Sequence, residues 1–445
     1  MAKKSGLSTS RVKRAAAISS VTARSAGARA ANKLRPGENA EREMAMLTKE
    51  AERYASLLGG MKGAAMKLGQ LISFLDADLV PEAYRPMYRQ ALGVLQADAP
   101  ALPFEAVAAV FEAEHGRPVS EVFEWFGTEP MAAASIGQVH AARLSDGTEV
   151  AVKIQYPGAA DAVAADLANA DLLAALAKMG LRMLGPMQPQ VDVRALVDEV
   201  VAQVSQELDY RLEAQNQAEF AERFADHPAI RVPAVLAELS TERVLVSEMV
   251  DGMRWSMAIE QPQELRNQWG EVLTRFLLEA LYRYGLFNAD PHPGNYLFHE
   301  DGTVTFLDFG CVTRFDPDII DGIRRVMSAT GEHDVEGLRA EFVSLGFLPA
   351  DSKLSSQRLY DWYSINMEPV MAEQPYTFTP AFAARVVATC YDGLGEWSDV
   401  LFALTLPSEM VFLNRIMLGF NSVMAGLSAT GDWQALHHEL RLGTA

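Results

Sequence analysis

Cysteine is almost missing from this 445-residue chain: only Cys311 and Cys390 occur, with no Cys-x-x-Cys pair and no Cys/His metal spacing. A disulfide-stapled scaffold is thereby excluded, a reducing compartment fits, and each cysteine reads as a small buried apolar residue. No uninterrupted apolar run reaches about eighteen residues. The nearest approach, 400–427, is broken by Pro407, Glu409 and Arg415, so no spanning helix is expected. Acidic residues are absent from positions 1–37, which hold nine of the 39 lysines and arginines. The rest of the chain carries 30 basic against 58 acidic side chains, a body that repels nucleic acid. The basic start lacks the apolar core of a secretory signal. It reads first as a surface arm, then as a contact for an anionic membrane, then as an organelle transit peptide.

The remainder, 49% apolar and 22% charged, has the composition of a folded soluble chain. Leu47, Ala51, Tyr54 and Leu58, then Met61, Ala65, Leu68 and Ile72, recur at helical spacing, and helices are expected across 41–122. Asp146-Gly147 is a hairpin signal between strands at 138–144 and 149–155. Helices at 159–184 and 193–224, strands at 234–239 and 244–250, and a helix at 265–284 stopped by Gly285 follow. Loop and hairpin fill 286–312, and helices bordered by prolines run to the end. The expected fold class is α+β in two lobes. The expected organisation is a basic arm (1–40), a helical extension (41–121), a sheet-bearing lobe (122–250) and a helical lobe (251–445).

Chemistry concentrates in Asp290-Pro-His-Pro-Gly-Asn295, followed by Asp301-Gly302 and Asp308-Phe-Gly310. The prolines and Gly294 exclude regular structure between Asp290 and Asn295. A hairpin turned by Asp301-Gly302 brings Asn295 and Asp308 to the same end. A carboxamide oxygen beside a carboxylate suits Mg²⁺, a hard ion that takes few protein oxygens and keeps phosphates and water. Asp290 is then placed to orient or deprotonate an acceptor hydroxyl or water. The spacing D-x-x-x-x-N followed by D-F-G is that of a kinase catalytic loop. His292 reads as a loop-ordering side chain rather than an acid or base.

Lys153, in the alternating strand Glu149-Val-Ala-Val-Lys-Ile-Gln, suits a nucleotide's α- and β-phosphates and needs a carboxylate to hold it. Glu207, Asp209 and Glu213 are the acids of the 193–224 helix, and they read equally well as a solvated face. Asp209 and Glu213 share one face at four-residue spacing, whereas Glu207 lies roughly 240° from Glu213 and addresses something else. No glycine-rich phosphate loop precedes the lysine. Ala132-Ala133-Ala134-Ser135 stands there instead, stiffer because alanine does not enter φ > 0 cheaply. Lys67-Leu-Gly69-Gln70 puts a glycine inside a helix, as a close backbone contact would require.

Taken together, in this order, these residues resemble the UbiB (AarF) family of atypical protein-kinase-like proteins, from about Ser10 to Leu427. The family's marks are the Lys67–Gln70 helix, the alanine loop, Lys153, the E-x-D motif of Glu207 and Asp209, Glu213, and the Asp290, Asn295 and Asp308 set. The resemblance implies a kinase fold binding ATP or ADP with Mg²⁺, with the helical extension folded over the active site. It implies that Lys67, Gly69 and Gln70 meet Glu207 and Asp209, closing the site to proteins, and that Glu248, Met249 and Val250 form the adenine hinge. Some relatives end in a transmembrane hairpin that is not seen here. The expected function is an atypical kinase or ATPase supporting isoprenoid-quinone metabolism, cytoplasmic or peripheral on a membrane, with organelle import left open. The rivals are a catalytically quiet nucleotide-binding regulator or lipid-handling scaffold, and a small-molecule kinase of choline or aminoglycoside type.

Overall fold

Pro103 starts the first described helix of the computed structural model, which describes residues 102–134, 136–160, 208–391, 395–405 and 408–442. The helices expected at 41–101, 161–184 and 193–207, the basic arm, and Ser135 lie outside the described residues. The chain divides into two units, Met1–Asp209 with Glu242–Val244, and Tyr210–Thr241 with Leu245–Ala445.

In the first unit, α1 (Phe104–His115) carries Glu105 in its first turn, complementing the helix dipole. Gly116, at φ 69°, ends it by returning its N–H to Glu112 O. A single turn, α2 (Val119–Val122), leads to β1 (Trp125–Phe126) and β2 (Ala132–Ala133), which both pair antiparallel with β3 (Gly137–Arg143). Strand β3 turns at Asp146-Gly147 into β4 (Glu149–Gln155), in register from Arg143 opposite Glu149 to Gly137 opposite Gln155. The turn forms where expected because Gly147 takes φ 90° and Asp146 Oδ1 accepts the Thr148 N–H. Alternation then puts Val150, Val152 and Ile154 in the core and turns Lys153 to the other face.

The second unit begins with α3 (Tyr210–Arg223), not with a helix running on from 193 as expected. Leu208 lies in a turn and Asp209 outside regular structure. The carbonyl of Leu208, which a continuous helix needs for its own ladder, instead accepts from Gln155 Nε2 at 2.8 Å. The strand expected at 234–239 is a single bridge, Val235 to Ser247, followed by a 3₁₀ turn at Ala237–Leu239. Ser240 is the cause: its hydroxyl accepts the Val246 N–H and donates to Leu236 O, taking the place of a strand partner.

Strand β5 (Ile230–Arg231), which carried no clear signal, and β6 (Val244–Glu248) precede a one-turn helix, α4 (Trp255–Ala258). The long α5 (Gln263–Tyr284) is stopped by Gly285 at φ 63°. Four short strands follow in two sheets. In one, β7 (Leu286–Asn288) pairs with β10 (Val312–Arg314); in the other, β5, β9 (Val304–Phe306) and β8 (Tyr296–Phe298) lie side by side. Helix α5 underlies both: Phe276 stacks on Phe306 at 3.6 Å between centroids, and Trp269 Nε1 donates to His299 O.

Helical elements complete the unit: α6 (Pro317–Gly331), α7 (Val335–Ser344), α8 (Ser356–Asn366), α9 (Glu368–Met371), α10 (Pro380–Tyr391), α11 (Ser398–Ala403), α12 (Ser408–Leu427) and α13 (Trp433–Leu442). A small pair, β11 (Tyr376–Thr377) with β12 (Thr430–Gly431), lies among them. The main core joins α3, α5, the two sheets, α10, α12 and α13, while a second cluster around Leu338, Leu359 and Val400 joins α6, α7, α8 and α11. Among the described residues no helix is long and apolar enough to cross a membrane. The fold is α+β.

Candidate active site

Two groups of expected site residues are brought together, one in each unit. In the first unit, Ala132 is opposite Val139, and Val139 is opposite Lys153 on its other side. Facing residues on antiparallel neighbours point to the same side, so Ala132 and Lys153 share one sheet face, two strand spacings or roughly 10 Å apart. Ala133 pairs with Gln138, and the Ala134 N–H donates to Gly137 O, which closes the alanine segment onto β3. Lys153 is half-buried. Next along its face, Gln155 is 1% exposed and donates to Leu208 O and Glu242 O, tying the lysine strand to two distant segments.

In the second unit, β7 hands the chain to the Asp290 loop and β8 takes it up again, while β9 and β10 flank Asp308-Phe309-Gly310. The loop is more regular than expected, because Pro293–Asn295 forms one 3₁₀ turn. His292 caps it by accepting the Gly294 N–H on Nδ1, the ordering role read from the sequence. Asn295 Nδ2 donates to Asp290 O at 3.1 Å and to Asp290 Oδ2 at 3.3 Å. Its Oδ1 is the atom left to act as a ligand. The Leu307 N–H donates to Asn295 O at 3.0 Å, so the hairpin does bring Asn295 beside the strand that leads to Asp308. Asp308 Oδ1 accepts the Gly310 N–H at 2.9 Å.

Asn288 was not foreseen. Its Nδ2 donates to Asp308 O at 2.8 Å and its Oδ1 accepts the Asp290 N–H at 3.2 Å, so one amide joins the two acidic segments. At the end of a strand such an asparagine carries no sequence signal of its own. The loop is backed by α12, where a methyl on Gly419 would stand 2.8 Å from Pro291 Cγ. Tyr296, next after Asn295, is buried, and that burial together with the charge of Asp290 holds its hydroxyl well above the usual tyrosine range, so it stays neutral.

Glu213, 3% exposed, reaches the same segment from α3: a methyl on Gly310 would lie 3.6 Å from Glu213 Oε2 and 3.3 Å from Asp308 Oδ1. Two carboxylates thus lie beside Gly310. Asp209 is half-buried just before α3, so the shared helical face expected for it and Glu213 does not exist. Glu248, Met249 and Val250 end β6 and follow it, and the Glu248 N–H already donates to Ala234 O at 2.8 Å. Lys67, Gly69, Gln70, Glu207 and Ser135 lie outside the described residues. No cluster of three His, Cys, Asp or Glu suited to a metal occurs among the described residues. An asparagine and aspartate pair is the donor set present.

Comparison with known proteins shows the family. Residues 94–341 match the family described as the ABC1 atypical kinase-like domain. The chain is 34% identical to the atypical kinase COQ8B, mitochondrial, of Rattus norvegicus over 75% of its own length and 62% of the relative's. It is 31% identical to the atypical kinase COQ8, mitochondrial, of Saccharomyces cerevisiae over 70% and 59%. The chain spans about half the length of the curated relatives it matches. Among solved structures, Rv3197 of Mycobacterium tuberculosis, in complex with erythromycin, is 31% identical with a TM-score of 0.63, covering 91% of this chain and 98% of that one. This chain therefore belongs to the ABC1 family of atypical kinase-like proteins, the UbiB (AarF) kind that its motifs resemble.

Proposed function

We propose that the protein is an Mg-ATP-dependent phosphotransferase or ATPase that supports isoprenoid-quinone metabolism and does not phosphorylate proteins. The observation that carries this reading is the joining of Asp290, Asn295 and Asp308 through Asn288 and the β8–β9 hairpin. The donor set fits magnesium: Asn295 spends its N–H groups on Asp290, leaving a neutral hard oxygen, and the carboxylate of Asp308 is anchored by Gly310. A bound magnesium would neutralise the phosphate charge during transfer.

The chain's own groups do the rest. Asp290, held by Asn295 and Asn288, orients an acceptor hydroxyl or water and accepts its proton. Lys153 binds the α- and β-phosphates beside the alanine segment, and Glu213, 3% exposed, is assigned to the nucleotide site. The adenine is met by the backbone of residues 248–250 through groups other than the Glu248 N–H, which Ala234 already occupies. Closure against protein substrates is assigned to Lys67, Gly69 and Gln70 with Glu207 and Asp209. Changing Lys67 or Glu207 should alter nucleotide affinity or admit a peptide acceptor.

The direct test compares magnesium-dependent ATP turnover of the protein with that of Asp290→Asn. Turnover should fall by about two to four orders of magnitude, the usual contribution of a positioned base, with no change in melting temperature. Equal turnover in both proteins would sink the catalytic reading and leave a nucleotide-binding regulator. Comparing quinone content of cells with and without the protein addresses the pathway.

A further inference from the structure

Helix α3 meets the Asp308-Phe309-Gly310 segment with Glu213, Asn216 and Phe220, spaced three and four residues apart and all buried. Each touches a different part of it. The Phe220 ring lies 4.9 Å from that of Phe309, Asn216 Nδ2 donates to Phe309 O at 3.0 Å, and Glu213 approaches Gly310.

The Asn216 contact has a polarity, and that polarity is enforced. Arg314 Nη2 donates to Asn216 Oδ1 at 2.9 Å and to Glu219 Oε2 at 2.7 Å. Turning the amide over would set its N–H groups against the guanidinium and its oxygen against the Phe309 carbonyl. The bond also acts at a distance of one peptide. The Phe309 carbonyl and the Gly310 N–H belong to the same planar unit, so fixing one end fixes the other. That N–H is the donor that anchors Asp308 Oδ1.

We propose that Asn216, oriented by Arg314, is a positioning residue for Asp308. It holds the Phe309–Gly310 peptide plane and, through it, the carboxylate assigned to the metal. Helix α3 and Asp308 then behave as one piece, so displacing the helix loosens the metal ligand together with Glu213. The proposal rests on the metal role given above to Asp308, but its structural half does not.

Two variants test it. Asn216→Asp keeps the size and an oxygen for Arg314 but sets a carboxylate oxygen against Phe309 O. Arg314→Gln leaves Asn216 in place and changes a side chain that is 51% exposed, so it decides the matter alone if the first variant does not fold. Hydrogen exchange at the Gly310 amide, without nucleotide, should quicken about tenfold in both, the effect of one lost buried hydrogen bond. Arg231→Gln, which breaks the exposed pair with Asp301, should leave it unchanged.

ATP affinity should fall about tenfold with magnesium present and stay constant with a chelator, a split that general loosening would not produce. Gly310 exchange at the wild-type rate in both variants would overturn the proposal, as would equal loss of affinity with and without magnesium. A wild-type protein whose ATP binding ignores magnesium would remove the metal role given to Asp308, while Gly310 exchange still decides whether Asn216 holds the peptide.

Discussion

Asn288 uses both ends of one amide, donating to Asp308 O and accepting from the Asp290 N–H. Replacing it with alanine leaves a half-buried carbonyl and an amide without these partners, a loss of about 1–3 kcal/mol. Asn288→Ala should therefore lower the unfolding free energy by that amount in urea titrations and reduce magnesium-dependent turnover at least tenfold. Asn288→Asp, which still accepts from Asp290 but repels Asp308 O, should be no better than the alanine variant in turnover. At this scale the acids and Asn295 were legible because their spacing is itself a chemical pattern. Asn288 and Asn216 were not, because a clamp is defined by what lies across from it. Asn216 left one trace, its position three residues after Glu213 on the same face of α3.

Elements were legible where a local signal decided them. Gly147, Gly302 and Gly285 take φ values of 90°, 84° and 63°, and the two hairpins and the end of α5 follow from them. The misread elements, 193–224 and 234–239, each turned on a side chain, Gln155 or Ser240, taking a backbone group away from its ladder. Packing between elements carries two predictions. Gly419→Ala in α12 places a methyl 2.8 Å from Pro291 Cγ, so the Asp290 loop or the helix must shift. A stability loss of about 1–3 kcal/mol with a fall in kcat is expected. Gly331→Ala, where a methyl meets nothing within 4 Å, serves as the control in the same melts and assays.

Helix α13 sets His437 edge-on to Tyr282 of α5, and burial, reinforced by the Arg441 cation, pushes the imidazole down to about 4. The folded protein therefore refuses a proton that the unfolded chain takes near the ordinary histidine value. Stability contributed by the neutral ring is complete above that value and is lost as pH falls from about 6.5 toward 4, on the order of 2 kcal/mol. Urea unfolding at pH 7 and pH 4.5 should show a steeper loss for the wild type than for His437→Gln.

For the whole molecule, charge is the property most unevenly distributed: net −19 overall, with nine cations and no acid in residues 1–37. Anionic phospholipid vesicles should sediment the full chain at low salt and release it as salt rises, because such attraction is screened. Removing residues 1–37 should abolish the binding, and salt-insensitive sedimentation would point to apolar insertion instead. The sequence by itself determined the family and the hairpins that carry Lys153, Asn295 and Asp308, because motif spacing and turn glycines act over a few residues. Only the tertiary structure decided that α3 starts at Tyr210, that Ala132 and Lys153 share a sheet face, and that Asn288 and Asn216 hold the acidic segments. Those facts depend on hydrogen bonds between residues far apart in the chain, and such partners are chosen by packing rather than by neighbouring sequence.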